Sequence, residues 1–232
     1  MSTVLITGAN RGLGLEFVRQ YKQRGWNVIA CTRKPETAEL LELNQANLRI
    51  SLMDVTDHAT IDALAAGLGD EAIDVLINNA GTTGPKGAPE CMEYSGVDNM
   101  DYGLWRETLE VNLLGAFKVA TAFRAHLARA KQGLLVNMSS DLGSMAQNTM
   151  GGMYSYRGSK TALNMVTKGL ANDCPEFITV SMAPGWCRTE LGGVSAEIDP
   201  ADSVAEQIKA LQKVAREHSG CFIDRFGEPV PW

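Results

Sequence analysis

The chain has 232 residues and a formal net charge of −6 at pH 7, which argues against a protein that coats nucleic acid. Glycine is plentiful (23 residues) and aromatic residues make up only 6%, a balance that favours an α/β protein with tight turns over an all-β sandwich. The five cysteines lack CxxC spacing and the three histidines lie far apart, so no metal cluster is expected and the thiols suit a reducing compartment.

Apolar runs of strand length alternate with helical patterns from the start. Val4, Leu5 and Ile6 form the first expected strand, too short for a signal-peptide core, and a helix carrying Phe17, Val18 and Tyr21 follows and stops near Gly25. A strand at Val28, Ile29 and Ala30 leads to a short helix with Leu40, Leu41 and Leu43, then a third strand over residues 48–53. Thr56 is the expected cap of a helix burying Ile61, Leu64 and Leu68, and residues 73–77 form a fourth strand, a largely apolar run suited to burial on both faces. One long helix is expected over residues 102–130, a fifth strand at Leu134, Leu135 and Val136, a helix over 156–172 and a sixth strand over 177–182. Asp199 and Pro200 read as N-cap and first position of a helix presenting Val204, Ile208, Leu211 and Ala215, before a seventh strand at Cys221, Phe222 and Ile223. This rhythm predicts one domain over residues 1–232: a Rossmann-type, doubly wound parallel sheet of about seven strands with helices on both faces. No segment is long enough to span a bilayer, so a cytoplasmic protein without a membrane partner is expected.

Four stretches bear on a dinucleotide. The turn Thr7-Gly8-Ala9-Asn10-Arg11-Gly12-Leu13-Gly14 joins the first strand to the first helix, where glycines admit a close ligand and free N–H groups face a diphosphate. The second strand ends at Thr32 and Arg33 in place of the acidic residue that would hold a ribose 2′-hydroxyl. Arg33 with Arg11 suits a 2′-phosphate, predicting NADP(H) over NAD(H), although Arg33 and Lys34 also suit a solvated loop. Asp54, followed by Val55, is placed either to accept from an adenine amino group or to cap its own turn. Asn78-Asn79-Ala80-Gly81 ends the fourth strand at the carboxyl edge of the sheet, where such folds bind ligands.

Tyr156 and Lys160 stand four apart, on one helix face. A nearby ammonium favours the phenolate and should bring the tyrosine toward the range useful for proton transfer. Tyr154 lacks this partner, since Gly158 follows it at the same spacing.

The glycine turn, Asn78 to Gly81, Val111-Asn112, Ser139-Ser140, Tyr156 with Lys160, and Pro184-Gly185 with Thr189 occur in an order that resembles the short-chain dehydrogenase/reductases across most of the chain. The stretch from Met153 to Trp186 resembles the C-factor-like carbonyl reductase branch in particular. The resemblance implies an NADPH-dependent reductase of a small aldehyde or ketone, with alcohol oxidation as its reverse. It implies Tyr156 as general acid and base, Ser140 orienting the carbonyl, Asn112 holding a relay water and Thr189 bonding the nicotinamide carboxamide. Lys160 would hold the nicotinamide ribose and depress the Tyr156 pKa.

The connection from Ser140 to Tyr156 is longer than the family commonly shows, with the excess expected near residues 147–152. Residues 82–103 and the segment after Pro184 read as substrate walls or a lid, with Trp186 and Met145 as candidate pocket residues. Family members are commonly homodimers or homotetramers, and Ala162, Leu163, Met165 and Val166 either serve such a contact or pack inward. Two other classes compete. Nucleotide-sugar epimerases share a similar core but carry a larger carboxyl-terminal region, and a dinucleotide-binding sensor or C-factor-like signalling protein could keep the fold without the chemistry.

Overall fold

The structure is a computed structural model that describes residues 1–43, 46–84 and 90–232. Seven strands form one parallel sheet: β1 (Thr3–Thr7), β2 (Asn27–Thr32), β3 (Leu48–Leu52), β4 (Val75–Asn78), β5 (Leu134–Met138), β6 (Ile178–Ala183) and β7 (Cys221–Asp224). Their spatial order is β3-β2-β1-β4-β5-β6-β7. The direction of winding therefore reverses between β1 and β4, which opens a crevice at their carboxyl ends.

The strands read as continuous apolar runs because both sheet faces are covered. On β1, Val4 and Ile6 join one core with Phe17 and Val18 of α1 (Gly12–Gln23) and Val204 and Ile208 of α8 (Pro200–Leu211). Leu5 faces the other way, packing with Ile61 of α3 (His58–Leu68), Val119 of α5 (Ala116–Ala122) and Leu170 of α7 (Tyr154–Asp173). Asp199 caps α8 as expected, accepting from Ala201 N at 2.9 Å with Pro200 in the first turn.

Several local expectations are corrected. The long helix over 102–130 is three segments, α4 (Tyr102–Leu109), α5 and α6 (Arg124–Arg129), with a π turn over Glu110–Gly115. Gly115 lies against the backbone of Val55, where an added Cβ would stand 2.6 Å from the carbonyl oxygen. This close approach and the inward side chain of Asn112 accompany the widened turn. The α3 cap is Asp57, accepting from Ala59 N at 3.1 Å, while Thr56 donates to Asp54 Oδ1 at 2.8 Å. Ile73 lies just before β4 and Met53 just after β3, both still buried. Ala215 lies beyond α8, its N–H donated to His218 Nδ1 at 3.0 Å. The helix α7 begins at Tyr154, earlier than expected, because Ser95 caps it: its carbonyl accepts from Tyr154 N and its hydroxyl from Ser155 N. None of the five cysteines is in a disulfide among the described residues, and no helix among them is long and apolar enough to cross a membrane.

Candidate active site

The carboxyl ends of the strands converge on a cleft of about 1140 Å³. Its first wall is the glycine turn. Gly8 adopts φ +64°, and an added Cβ would stand 2.9 Å from Ala80 Cα; at Gly14 it would overlap the Gly8 carbonyl oxygen. Thr7 fixes the second wall, its hydroxyl accepting from the backbone N–H groups of Asn79 and Ala80 at 3.0 Å each. Asn79 Nδ2 returns a bond to the Thr7 carbonyl at 2.9 Å.

Behind these strand ends runs a buried polar chain. Asn78 donates to Asn137 Oδ1, Asn137 donates to Thr167 Oγ1 on α7, and the Ser181 hydroxyl joins Thr167, each at 2.9 Å. It locks α7 onto β4, β5 and β6. At its amino end the helix is entered through Gly151, Gly152 and Met153, all with left-handed φ of +67°, +68° and +49°. The glycines make this reversal cheap, and Met153 is the one non-glycine residue in the described chain with positive φ. The connection from Ser140 thus delivers Tyr156 into the cleft through a tight left-handed turn.

Tyr156 is 8% exposed and Lys160 4%. The Lys160 ammonium donates to the Met138 carbonyl at 2.8 Å and lies 5.6 Å from the centre of the Tyr156 ring. Burial pushes the Tyr156 phenol up to about 12, opposed by a hydrogen bond with Ser140 and reinforced by the charges of Cys91 and Asp141. Burial also brings Lys160 down to about 8. The expected depression of the tyrosine by the lysine is therefore not what this arrangement produces: desolvation of both groups outweighs their attraction, and the ammonium is held at the Met138 carbonyl. Ser140 stands at the end of β5, its hydroxyl also accepting from Leu142 N at 3.2 Å.

Of the residues singled out from sequence, Gly8, Asn10, Arg11, Gly12, Leu13, Arg33, Asp54, Val55, Asn79, Ala80, Gly81, Ser140, Tyr156, Lys160, Pro184, Gly185 and Thr189 all line this one cleft. Gly14 and Asn112 do not. Gly14 is where the helix touches the strand end, and Asn112 is wholly buried behind the wall. Its amide donates to Thr82 O at 2.9 Å and Ser159 Oγ at 3.0 Å, and its oxygen accepts from Thr82 N at 2.8 Å. Asp54 caps its own turn through Thr56 N at 2.9 Å while still lining the cleft. Arg11 is ion-paired with Glu190, whereas Arg33 is exposed and makes no side-chain bond or ion pair among the described residues.

Trp186 lines the cleft, but Met145 is 68% exposed and does not. Of the expected wall over residues 82–103, residues 85–89 lie outside the described residues. Leu163 packs inward and Met165 points outward at 72% exposure. Sequence reading did not single out Thr7, Ser155, Ser159 or Glu190. The serines flanking Tyr156 carried a signal, since small hydroxyl residues at a buried helix face need partners, here Ser95 and Asn112.

Residues 2–198 match the family model of the short chain dehydrogenases. The chain belongs to the short-chain dehydrogenase/reductase family. It is 37% identical to C-signal of Myxococcus xanthus over 172 residues, covering 73% of this chain and 99% of that protein. Among solved structures it resembles the carbonyl reductase Sniffer of D. melanogaster at 33% identity, with a TM-score of 0.90 and full coverage of both chains. It is equally close in fold to the NADPH-bound carbonyl reductase from chicken fatty liver, with a TM-score of 0.90 and 30% identity, covering 100% of this chain and 99% of that one. The C-factor-like and carbonyl reductase resemblances read from the motifs are thus supported by proteins outside the chain itself.

Proposed function

We propose that this protein is an NADPH-dependent reductase of small aldehydes or ketones, acting as a single cytoplasmic domain, with Tyr156 as the general acid. The observation that carries the reading is the convergence of Tyr156, Ser140 and Lys160 on the cleft that the glycine turn also lines. The cradle suits a dinucleotide: Gly8 and Gly12 keep positive φ where side chains would fill it, and the Ser139 hydroxyl is buried beside it without a partner. When bound there, the nicotinamide supplies hydride to the carbonyl carbon.

The chain's own residues do the rest. Ser140 orients the carbonyl oxygen, and Tyr156 donates a proton to it as negative charge develops. Lys160 holds ribose hydroxyls near the phenol, and Thr189, whose methyl would lie 3.3 Å from a Cβ at Gly12, reaches the carboxamide. Asn112 supports the site by pinning the backbone of Thr82 and, through Ser159, the catalytic helix; a relay water is assigned to it on family position. Arg33, with Arg11 once released from Glu190, favours the 2′-phosphate of NADPH over NADH, since the strand end carries no acid to take a free 2′-hydroxyl. Exposed Met165 on α7, with Leu114 and Phe117, suits a homodimer or homotetramer contact. NADPH consumption across a panel of aldehydes and ketones tests the reading; a purified, folded protein that binds NADPH and consumes none would instead favour a signalling role.

A further inference from the structure

Arg157 directly follows Tyr156 on α7, so their Cα atoms are about 3.8 Å apart. It is 8% exposed and lines the cleft, and its Nε is buried without an acceptor. Among the described residues its guanidinium has no hydrogen bond and no ion pair. The half-buried Arg225, by contrast, has Glu206 at 2.6 Å. Asp141, the carboxylate that acts on Tyr156, feels the charges of Asp224 and Arg225. A guanidinium stays charged at any working pH, and a buried charge without a partner is strongly unfavourable unless a ligand supplies one.

The cleft that Arg157 enters is also lined by the apolar Leu142, Met150, Met153 and Trp186, and its carboxylates Asp141 and Glu107 make no ion pair with Arg157. The cofactor phosphates belong at the glycine turn, where Arg11 and Arg33 stand, so the partner of Arg157 is not a phosphate of the dinucleotide. A carboxylate matches one guanidinium in charge and in its two in-plane oxygens, whereas a phosphate monoester carries nearly two charges.

We propose that the substrate is an aldehyde or ketone bearing a carboxylate, which Arg157 binds while Tyr156 faces the carbonyl. This deepens the reductase reading and rests on it. Hydride from NADPH adds to the carbonyl carbon and the Tyr156 proton to its oxygen, giving a hydroxy acid and NADP⁺, while the carboxylate is unchanged and serves only as a handle.

The test compares matched pairs: para-carboxybenzaldehyde with methyl para-formylbenzoate, and succinic semialdehyde with its methyl ester. The parent protein should favour the acid of at least one pair in kcat/KM by roughly 10- to 100-fold, the range expected for hydrogen bonds to a charged group. In Arg157→Met this ratio should fall toward one, chiefly through KM for the acid, and Arg157→Lys should restore part of it. Arg157→Met should also melt no lower than the parent, because it removes a mostly buried charge whose Nε has no partner among the described residues; a structural arginine would lower the melting temperature. Equal use of acid and ester by the parent, or a ratio that survives in Arg157→Met, overturns the proposal. Calorimetric binding of benzoate to the NADP⁺-loaded protein separates it from the reductase reading. Binding lost in Arg157→Met without any turnover would sink the reductase and keep the anion site, while binding that is absent, or equal in both proteins, would sink the anion site.

Discussion

The Lys160 ammonium is bonded to the Met138 carbonyl at 2.8 Å, so the cation of the Tyr156–Lys160 pair is anchored to the end of β5 and not to the phenol beside it. Both members of the pair are buried, and each is displaced toward its neutral form, Tyr156 up to about 12 and Lys160 down to about 8.

That arrangement has a measurable cost in stability. The folded Lys160 value of about 8 lies below its ordinary 10.5. Below pH 8 the amine is charged in both states and the burial penalty is fully present. Between 8 and 10.5 the unfolded chain holds the proton more tightly, so stability rises with pH, and above 10.5 the penalty is gone. Lys160→Met should therefore be more stable than the parent at pH 7, by roughly 2 kcal/mol once the lost Met138 bond is allowed for. The gap should close or reverse by pH 10.5 in paired denaturation curves without cofactor. A gap that does not vary with pH would show that the lysine is not held near 8.

Arg33 and Arg11 differ in readiness. Arg33 has no partner to give up among the described residues, so Arg33→Ala should weaken NADPH about tenfold or more and leave NADH nearly unchanged in fluorescence titrations. Arg11 is paired with Glu190 across the cleft mouth. Glu190→Gln should free it and tighten NADPH only a few-fold at low salt, because exposed ion pairs are weak. Equal losses for both cofactors in Arg33→Ala would remove the 2′-phosphate argument.

Asn112 is a clamp behind the cleft wall. Replacing it with Ala strips partners from both backbone groups of the partly buried Thr82 and from the buried Ser159. A loss of about 2–4 kcal/mol is expected, with faster amide exchange at Thr82 than elsewhere in the cleft wall. Unchanged exchange there would mean that the bonds do not hold the wall.

What could be read ahead of the structure was whatever depends on short-range pattern. The seven strands, the Asp199–Pro200 helix start and the glycine turn follow from periodicity, capping chemistry and steric freedom within a few residues. The break in the helix over 102–130 was hidden because Asn112 and Gly115 both tolerate helix locally. Their distortion accompanies contacts with Thr82 and Val55, distant in sequence. Thr56 and Asp57 are both good caps, and the carboxylate one residue on took the position. The pairing of Tyr156 with Lys160 was legible, but the sign of the tyrosine shift was not, since burial depends on the whole fold. Arg157 carried no sequence signal of its own: only the structure shows that an arginine beside the tyrosine is buried without an acid.

The central claim is that Tyr156 supplies the proton for carbonyl reduction, and Tyr156→Phe tests it most directly. NADPH oxidation with the best substrate of a carbonyl panel should fall on the order of 10²- to 10⁴-fold in kcat, while NADPH affinity by fluorescence stays within a few-fold of the parent. Turnover that survives in Tyr156→Phe with its cofactor affinity intact would contradict the account.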